Sequence, residues 1–351
     1  MHTLTRFADS LPEIPSAIAW YLSDISEFKG KQELYTRQSP QKLKVLREHA
    51  LIESAVSSNR IEGVEIDRKR IGTVVFGKPL LKDRGEEEIQ GYRDALEWIH
   101  AQGKKILINE TTVKKLHRLS RGNVWDAGKY KEKDGDIIER LPSGDVRIRF
   151  KTVKAADTPF MIKKLIADYS DLIRHHKVHP LLAVTAFNLD FLCIHPFRDG
   201  NGRVSRLLLL LQLYHADIDV GRYISLERLI EEHKERYYET LQLSSIQWHK
   251  GRHDPWYYSQ FLLYLIKKAY GEFSDRIEKN GRPEGTKTSI VLEQIHRIQS
   301  GFSLAQLQDK CPDVSYDMIR KILKKLKSEG KIFALGKGVR AQWYKKSDTL
   351  I

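Results

Sequence analysis

Residues 181–194 and 202–214 are apolar nearly all the way round a helical turn, culminating in Phe191-Leu192-Cys193-Ile194 and Leu207-Leu208-Leu209-Leu210-Leu211. A helix without a polar face has no stable place at a surface, so the pair predicts the centre of a helical bundle. Neither can be a membrane span, because the longest apolar run, 207–211, is far shorter than the roughly 20 residues a bilayer requires. The other helices must therefore cover these two, and 351 residues are enough for two or three domains.

The connection between them is His195-Pro196-Phe197-Arg198-Asp199-Gly200-Asn201. A turn needs none of its histidine, carboxylate and amide. The next helix opens with Arg203 and Arg206, which share a face but lie where the helix dipole disfavours positive charge. That placement makes sense if an anion docks there. Free N–H groups at a helix start attract phosphate, Gly200 and Gly202 permit close approach, and two guanidinium groups can clamp the oxygens. Asp199 offers a hard oxygen ligand for Mg²⁺. His195 can accept a proton near neutral pH.

The run from His195 to Arg206 resembles the signature of the Fic family, His-x-Phe-x-Asp/Glu-Gly-Asn-Gly-Arg-x-x-Arg, with every specified position present. The resemblance covers about the first 270 residues. It implies a mainly α fold, a Fic-type helical bundle with a β-hairpin flap, and a protein adenylyltransferase using ATP and Mg²⁺. By resemblance His195 takes the proton from a Ser, Thr or Tyr hydroxyl and Asp199 binds the metal. Phe197, Gly200, Asn201, Gly202, Arg203 and Arg206 form the nucleotide site, with the two arginines on the β and γ phosphates. Gly202 speaks for AMP transfer, since a kinase-like branch of the family carries Lys there. Tyr237 and Tyr238 resemble a segment near the family's adenine pocket, although paired tyrosines on a helix serve packing as readily.

Two β-prone runs around Pro142-Ser143-Gly144-Asp145 predict a hairpin within 128–152. It resembles the flap that aligns the target, with Ile137 and Ile138 as its contacts. Ahead of it the family usually has Gly-x-Tyr-Arg, and this chain has Gly128-Lys129-Tyr130-Lys131. A long helix is predicted from Ser39-Pro40 to Gly63, a cap followed by proline at one end and a helix-ending glycine at the other. Ser58 and Glu62 share its face, with Glu62 in the last turn, where the dipole disfavours a carboxylate. Ser58, Glu62 and Gly63 resemble the family's inhibitory motif Ser/Thr-x-x-x-Glu-Gly/Asn, which implies that Glu62 pairs with Arg206 and blocks productive ATP binding.

The domains predicted are an N-terminal helical region at 1–105 with the inhibitory helix at about 40–63, a catalytic core at 106–270, a linker at 271–288 and a C-terminal module at 289–351. In that module three helices and a hairpin predict a winged helix-turn-helix. Residues 286–346 hold thirteen Lys/Arg against five Asp/Glu. Lys321, Lys324 and Lys325 face away from the third helix's apolar stripe and suit the phosphates of double-stranded DNA. A dimerisation or docking module would have a similar surface. The net charge of +14 favours anionic partners. Two isolated cysteines, Cys193 and Cys311, and no apolar stretch near Met1 predict a cytoplasmic protein without a membrane anchor. The expected partners are thus ATP, a protein target, the chain itself by self-modification or as a homodimer, and DNA. Whether the enzyme also removes AMP stays open. Two other function classes stay open: a DNA-binding regulator whose core senses nucleotide, and a transferase of another phosphate-linked group.

Overall fold

The computed structural model describes residues 2–38, 40–64, 67, 70–76, 81–140, 145–278, 286–298, 301–336 and 341–346. The elements run α1 (Thr3–Asp9), α2 (Ser16–Gln38), α3 (Pro40–Ile61), α4 (Ile71–Phe76), α5 (Arg84–Gln102), α6 (Glu110–Arg121), β1 (Ile137–Arg140) and β2 (Val146–Phe150). They continue through α7 (Thr158–Arg174), α8 (Pro180–Ile194), α9 (Asn201–His215), α10 (Leu226–Glu232), α11 (Lys234–Ser245) and α12 (Trp256–Glu278). The last group is α13 (Thr286–Arg297), β3 (Phe302–Ser303), α14 (Leu304–Lys310), α15 (Tyr316–Ser328), β4 (Ile332–Leu335) and β5 (Gln342–Lys345).

The predicted central pair is where it should be. Every residue of α8 from Leu181 to Ile194 is buried, and α9 is buried from Arg203 to Tyr214. Helices α1, α7 and α12 pack on α8, and α5 and α6 pack on α9. Helix α1 is tied to α8 by Asp190, whose carboxylate accepts from the amides of Thr3 and Leu4, both at 3.0 Å. Helix starts follow the local code, as in α5, where Asp83 accepts from the Glu86 amide, and α6, where Asn109 accepts from the Thr112 amide.

Helix α2, not singled out within the predicted N-terminal helical region, covers Ser16–Gln38 and packs along α12. Two expectations need correction. The segment read as a linker is helical up to Glu278, because Phe273 and Ile277 are buried and carry α12 onward. Helix α3 closes at Ile61, so Glu62 stands just past the helix rather than in its last turn. Ser39, Pro142 to Gly144, residues 279–285 and the hairpin tip at 337–340 lie outside the described residues.

The C-terminal segment has its own core, built on Ile295, Leu307, Ile319, Leu323 and Ile332. Its helices α13, α14 and α15 accompany a three-stranded antiparallel sheet in the order β3-β5-β4. Ser303 and Gln306 form a capping box at the start of α14. The segment is not free of the bundle. Helix α13 packs on α3, and Glu293 pairs with Arg276 at 2.6 Å and with His49 of α3 at 3.5 Å. Among the described residues, no helix is long and apolar enough to cross a membrane.

Candidate active site

The loop between α8 and α9 is held open by backbone geometry. His195 ends α8 in the left-handed region with φ of +52°, and Gly200 precedes α9 at φ of +80°. No side chain caps α9, so its first amides face the loop without a side-chain acceptor. The His195 Nδ1 lies 3.3 Å from the Leu192 carbonyl, which can only accept, so Nδ1 carries the hydrogen and Nε2 keeps its lone pair. Burial is the main reason its pKa falls, Lys131 lowers it further, and it ends at about 4. The ring is therefore neutral at pH 7.

Glu62 and Arg206 meet as the sequence predicts. The Arg206 Nη2 donates to Glu62 Oε1 at 2.8 Å and to the Ser58 carbonyl at 2.8 Å, and Nε donates to Ser58 Oγ at 2.9 Å. Burial opposes the charge of Arg206, but Glu62 outweighs it and raises the pKa above the ordinary guanidinium value. Its Nη1 is buried with no hydrogen-bond partner. The Glu62 carboxylate also covers Gly202, where an added Cβ would collide with Oε1 and approach Arg206 Nη1. An internal carboxylate thus rests on the start of α9.

Arg203 does not share the open position of a phosphate clamp. It is 1% exposed and its Nη1 meets Glu88 at 2.7 Å, Asn59 at 3.1 Å and the Ser120 carbonyl at 3.1 Å. Its role in this arrangement is to tie α9 to α3, α5 and α6. Asp199 is half exposed. Its Oδ2 accepts from Arg121 at 2.8 Å, and its Oδ1 accepts from the Gly200 amide at 2.5 Å. Burial pushes its pKa up, but Arg121, Arg203, the Gly200 amide and Arg84 together hold it below the ordinary carboxylate value.

The other loop residues brace the site. The Asn201 side chain accepts from the Phe197 amide at 2.9 Å and donates to its carbonyl at 2.8 Å. Phe197 is fully buried and stacks on His117, ring centroids 3.7 Å apart. Tyr237 is core, enclosed by Tyr238, Tyr258 and Phe261, whereas Tyr238 is half-buried with its hydroxyl donating to the Ile61 carbonyl at 3.4 Å. In the hairpin, Ile138 pairs with Ile148, and both side chains are exposed. Ile137 is half-buried beside the register shift at its junction with Ile138. Lys321, Lys324 and Lys325 are exposed on α15, as predicted.

Sequence reasoning missed Glu88, Arg121 and His117. Glu88 is buried between three cations, Arg84 at 3.0 Å, Arg121 at 2.7 Å and Arg203 at 2.7 Å. His117 accepts from the Gly128 amide through Nδ1 and donates from Nε2 to the Asp199 carbonyl at 3.0 Å. A buried acid in a helix with arginines elsewhere is the signal that could have found the first two.

Comparison with known proteins agrees with this geometry. The Fic/DOC family profile matches residues 107–213. A Fic family protein from Desulfovibrio desulfuricans G20 shares the fold with a TM-score of 0.60 at 22% identity, over 97% of this chain and 98% of that one. A Fic domain containing signaling protein from Bacteroides thetaiotaomicron gives 0.59 at 19% identity, over 74% of this chain and 99% of that one. Fic-1 of C. elegans gives 0.53 at 17% identity, over 74% and 73%. Among curated proteins, the small chain of ribonucleoside-diphosphate reductase from Ostreid herpesvirus 1 is 29% identical over 149 residues. That stretch is 40% of this chain, and the chain spans only a quarter of that relative. Residues 107–213, which hold the complete loop signature, thus form a Fic/DOC family domain within a helical bundle of the same fold.

Proposed function

We propose that this chain is an autoinhibited protein adenylyltransferase that moves AMP from ATP to a hydroxyl side chain of a protein, itself included. The family transfers nucleotidyl and other phosphate-linked groups to proteins. The observation that carries the autoinhibited reading is the Glu62 carboxylate, which lies 2.8 Å from Arg206 and against Gly202, where phosphate oxygens would be drawn. With glycine at 202 rather than a long side chain, the backbone can meet a nucleotide once Glu62 withdraws.

In this reading the neutral His195 Nε2 takes the proton of the target hydroxyl. That oxygen bonds to the α phosphorus while the bond to the departing pyrophosphate breaks. The first amides of α9 and Arg206 hold the phosphates, and Ser58 keeps the guanidinium oriented. Arg203, Asn201 and Phe197 keep the cradle in shape. The half-exposed Asp199 fits Mg²⁺, which typically takes one or two carboxylates with phosphate oxygens and water. When bound, the ion would spread the charge of the phosphates. To accept it, Asp199 exchanges its contact with Arg121. The exposed Ile138 and Ile148 side chains support docking of an extended target segment on the hairpin. A C-terminal winged helix with basic residues on α15 adds a surface suited to duplex DNA.

The test uses Glu62→Gly with ATP labelled on either the α or the γ phosphate. Label transferred from the α position alone supports AMP transfer. Label from the γ position means phosphate transfer, and no label from either refutes the reading.

A further inference from the structure

Lys131 is 7% exposed, and among the described residues its ammonium hydrogen-bonds to neutral partners, the Thr152 hydroxyl at 2.8 Å and the Ile194 carbonyl at 3.2 Å. Its backbone amide donates to the Pro196 carbonyl at 2.9 Å. One residue therefore grips the carbonyls of the two residues that flank His195. His195 needs such a grip, because a residue with a Cβ disfavours the left-handed conformation by about 1–2 kcal/mol. A buried charge whose hydrogen-bond partners are neutral is also costly. Burial lowers the Lys131 pKa more than Asp134 and Asp136 raise it, leaving it at about 8, so the group is mostly charged at pH 7.

We propose that Lys131 is the positioning residue for His195: it bridges the flanking Ile194 and Pro196 carbonyls and fixes the turn that aims the ring. This rests on the reading of His195 as the base. The groups that face His195 are Lys131, which disfavours its protonation, and Glu62 and Asp199, which favour it. Lys131 occupies the place where the family usually has arginine in Gly-x-Tyr-Arg. An arginine keeps the charge and the donors, so Lys131→Arg is the conservative control.

Two measurements on the full chain test this. The first is the titration of the His195 ring by NMR, assigned by the signal lost in His195→Ala. The second is the turnover of AMP transfer in the Glu62→Gly form. Lys131→Met should raise the His195 midpoint clear of about 4. It should also lower turnover roughly 10- to 100-fold with little change in KM for ATP, as expected when a reacting group is held about 1 Å out of place. Lys131→Arg should restore both. A purely structural lysine would lower thermal stability without moving the midpoint. An unmoved midpoint in both Lys131→Met and Lys131→Gln overturns the proposal, as does a moved midpoint with undiminished turnover. If Glu62→Gly with Lys131 intact transfers no AMP, the proposed function fails instead, and the titration alone decides the role of Lys131.

Discussion

Replacing Glu62 with glycine should release Arg206 without dismantling it. The carboxylate removed lies 2.8 Å from Arg206 Nη2, with the two side chains 26% and 3% exposed. Arg206 keeps its contacts with the Ser58 hydroxyl at 2.9 Å and carbonyl at 2.8 Å, so the guanidinium stays in place. A hydrogen bond to a charged group shielded to this degree contributes about 1.5–3 kcal/mol. At about 1.4 kcal/mol per tenfold, loss of the competing pair should raise the rate at limiting ATP roughly 10- to 150-fold. The partial exposure of Glu62 argues for the lower part of that range. The assay is the initial rate of self-labelling from ATP labelled on the α phosphate, over a series of ATP concentrations. The gain should disappear in the double variant Glu62→Gly with Arg206→Ala, because the freed arginine is what captures the nucleotide. Equal rates for wild type and Glu62→Gly, or an undiminished gain in the double variant, would refute the reasoning.

His195→Ala should lower AMP transfer by on the order of 10²- to 10⁴-fold while ATP still binds, which labelled-ATP binding and transfer assays on the same variant would separate. The C-terminal segment should shift duplex DNA in a gel at low salt, with binding weakened as salt rises, and Lys321→Ala, Lys324→Ala and Lys325→Ala together should flatten the salt dependence; absence of any shift would point to a protein partner. Acid should loosen the junction of α13 with α3. Burial opposes the Glu293 charge, but Arg276, His49, Arg297 and Arg228 bring its pKa down to about 2 from the usual 4.5. The stability from this depressed carboxylate is complete above about 4.5 and is lost as the pH falls toward about 2. Thermal melts of wild type and Glu293→Gln should therefore converge as the pH drops through that window, and a constant gap would contradict it.

What the sequence revealed depended on whether a signal was local. Helices α8 and α9 were plain because their apolar residues surround the axis, and the capping box of α14 because its two partners are three residues apart. Helix α2 was not, because few of its side chains are fully buried and Trp20 and Leu34 are exposed at 70% and 60%. The end of α12 was hidden by the polar composition around it, although buried Phe273 and Ile277 hold it in the bundle. Within the site, residues 195–206 were legible because the family signature holds them in one run. Lys131, His117 and Glu88 act across the fold on backbone groups or on arginines already assigned another role, and no spacing rule connects them.

Arg203 and Arg206 show how far one helix face can be read. Three residues apart at the start of α9, both sit where the helix dipole disfavours a cation, and from sequence they form one clamp. The structure divides them by partner. Arg203 has the buried acid Glu88, with the side chains 1% and 3% exposed, and that pair is closed to solvent. Arg206 has Glu62, which stands just beyond α3, where the dipole disfavours a carboxylate, and which solvent can reach. Both charges of the second pair are therefore poorly served by their own helices and are compensated mainly by each other. On the proposed function, a polyphosphate would offer Arg206 more negative charge than one carboxylate and would meet the first amides of α9 as well. On that reading, the difference between a structural arginine and a regulated one lies in its acid partner, buried inside α5 in one case and at an open helix end in the other.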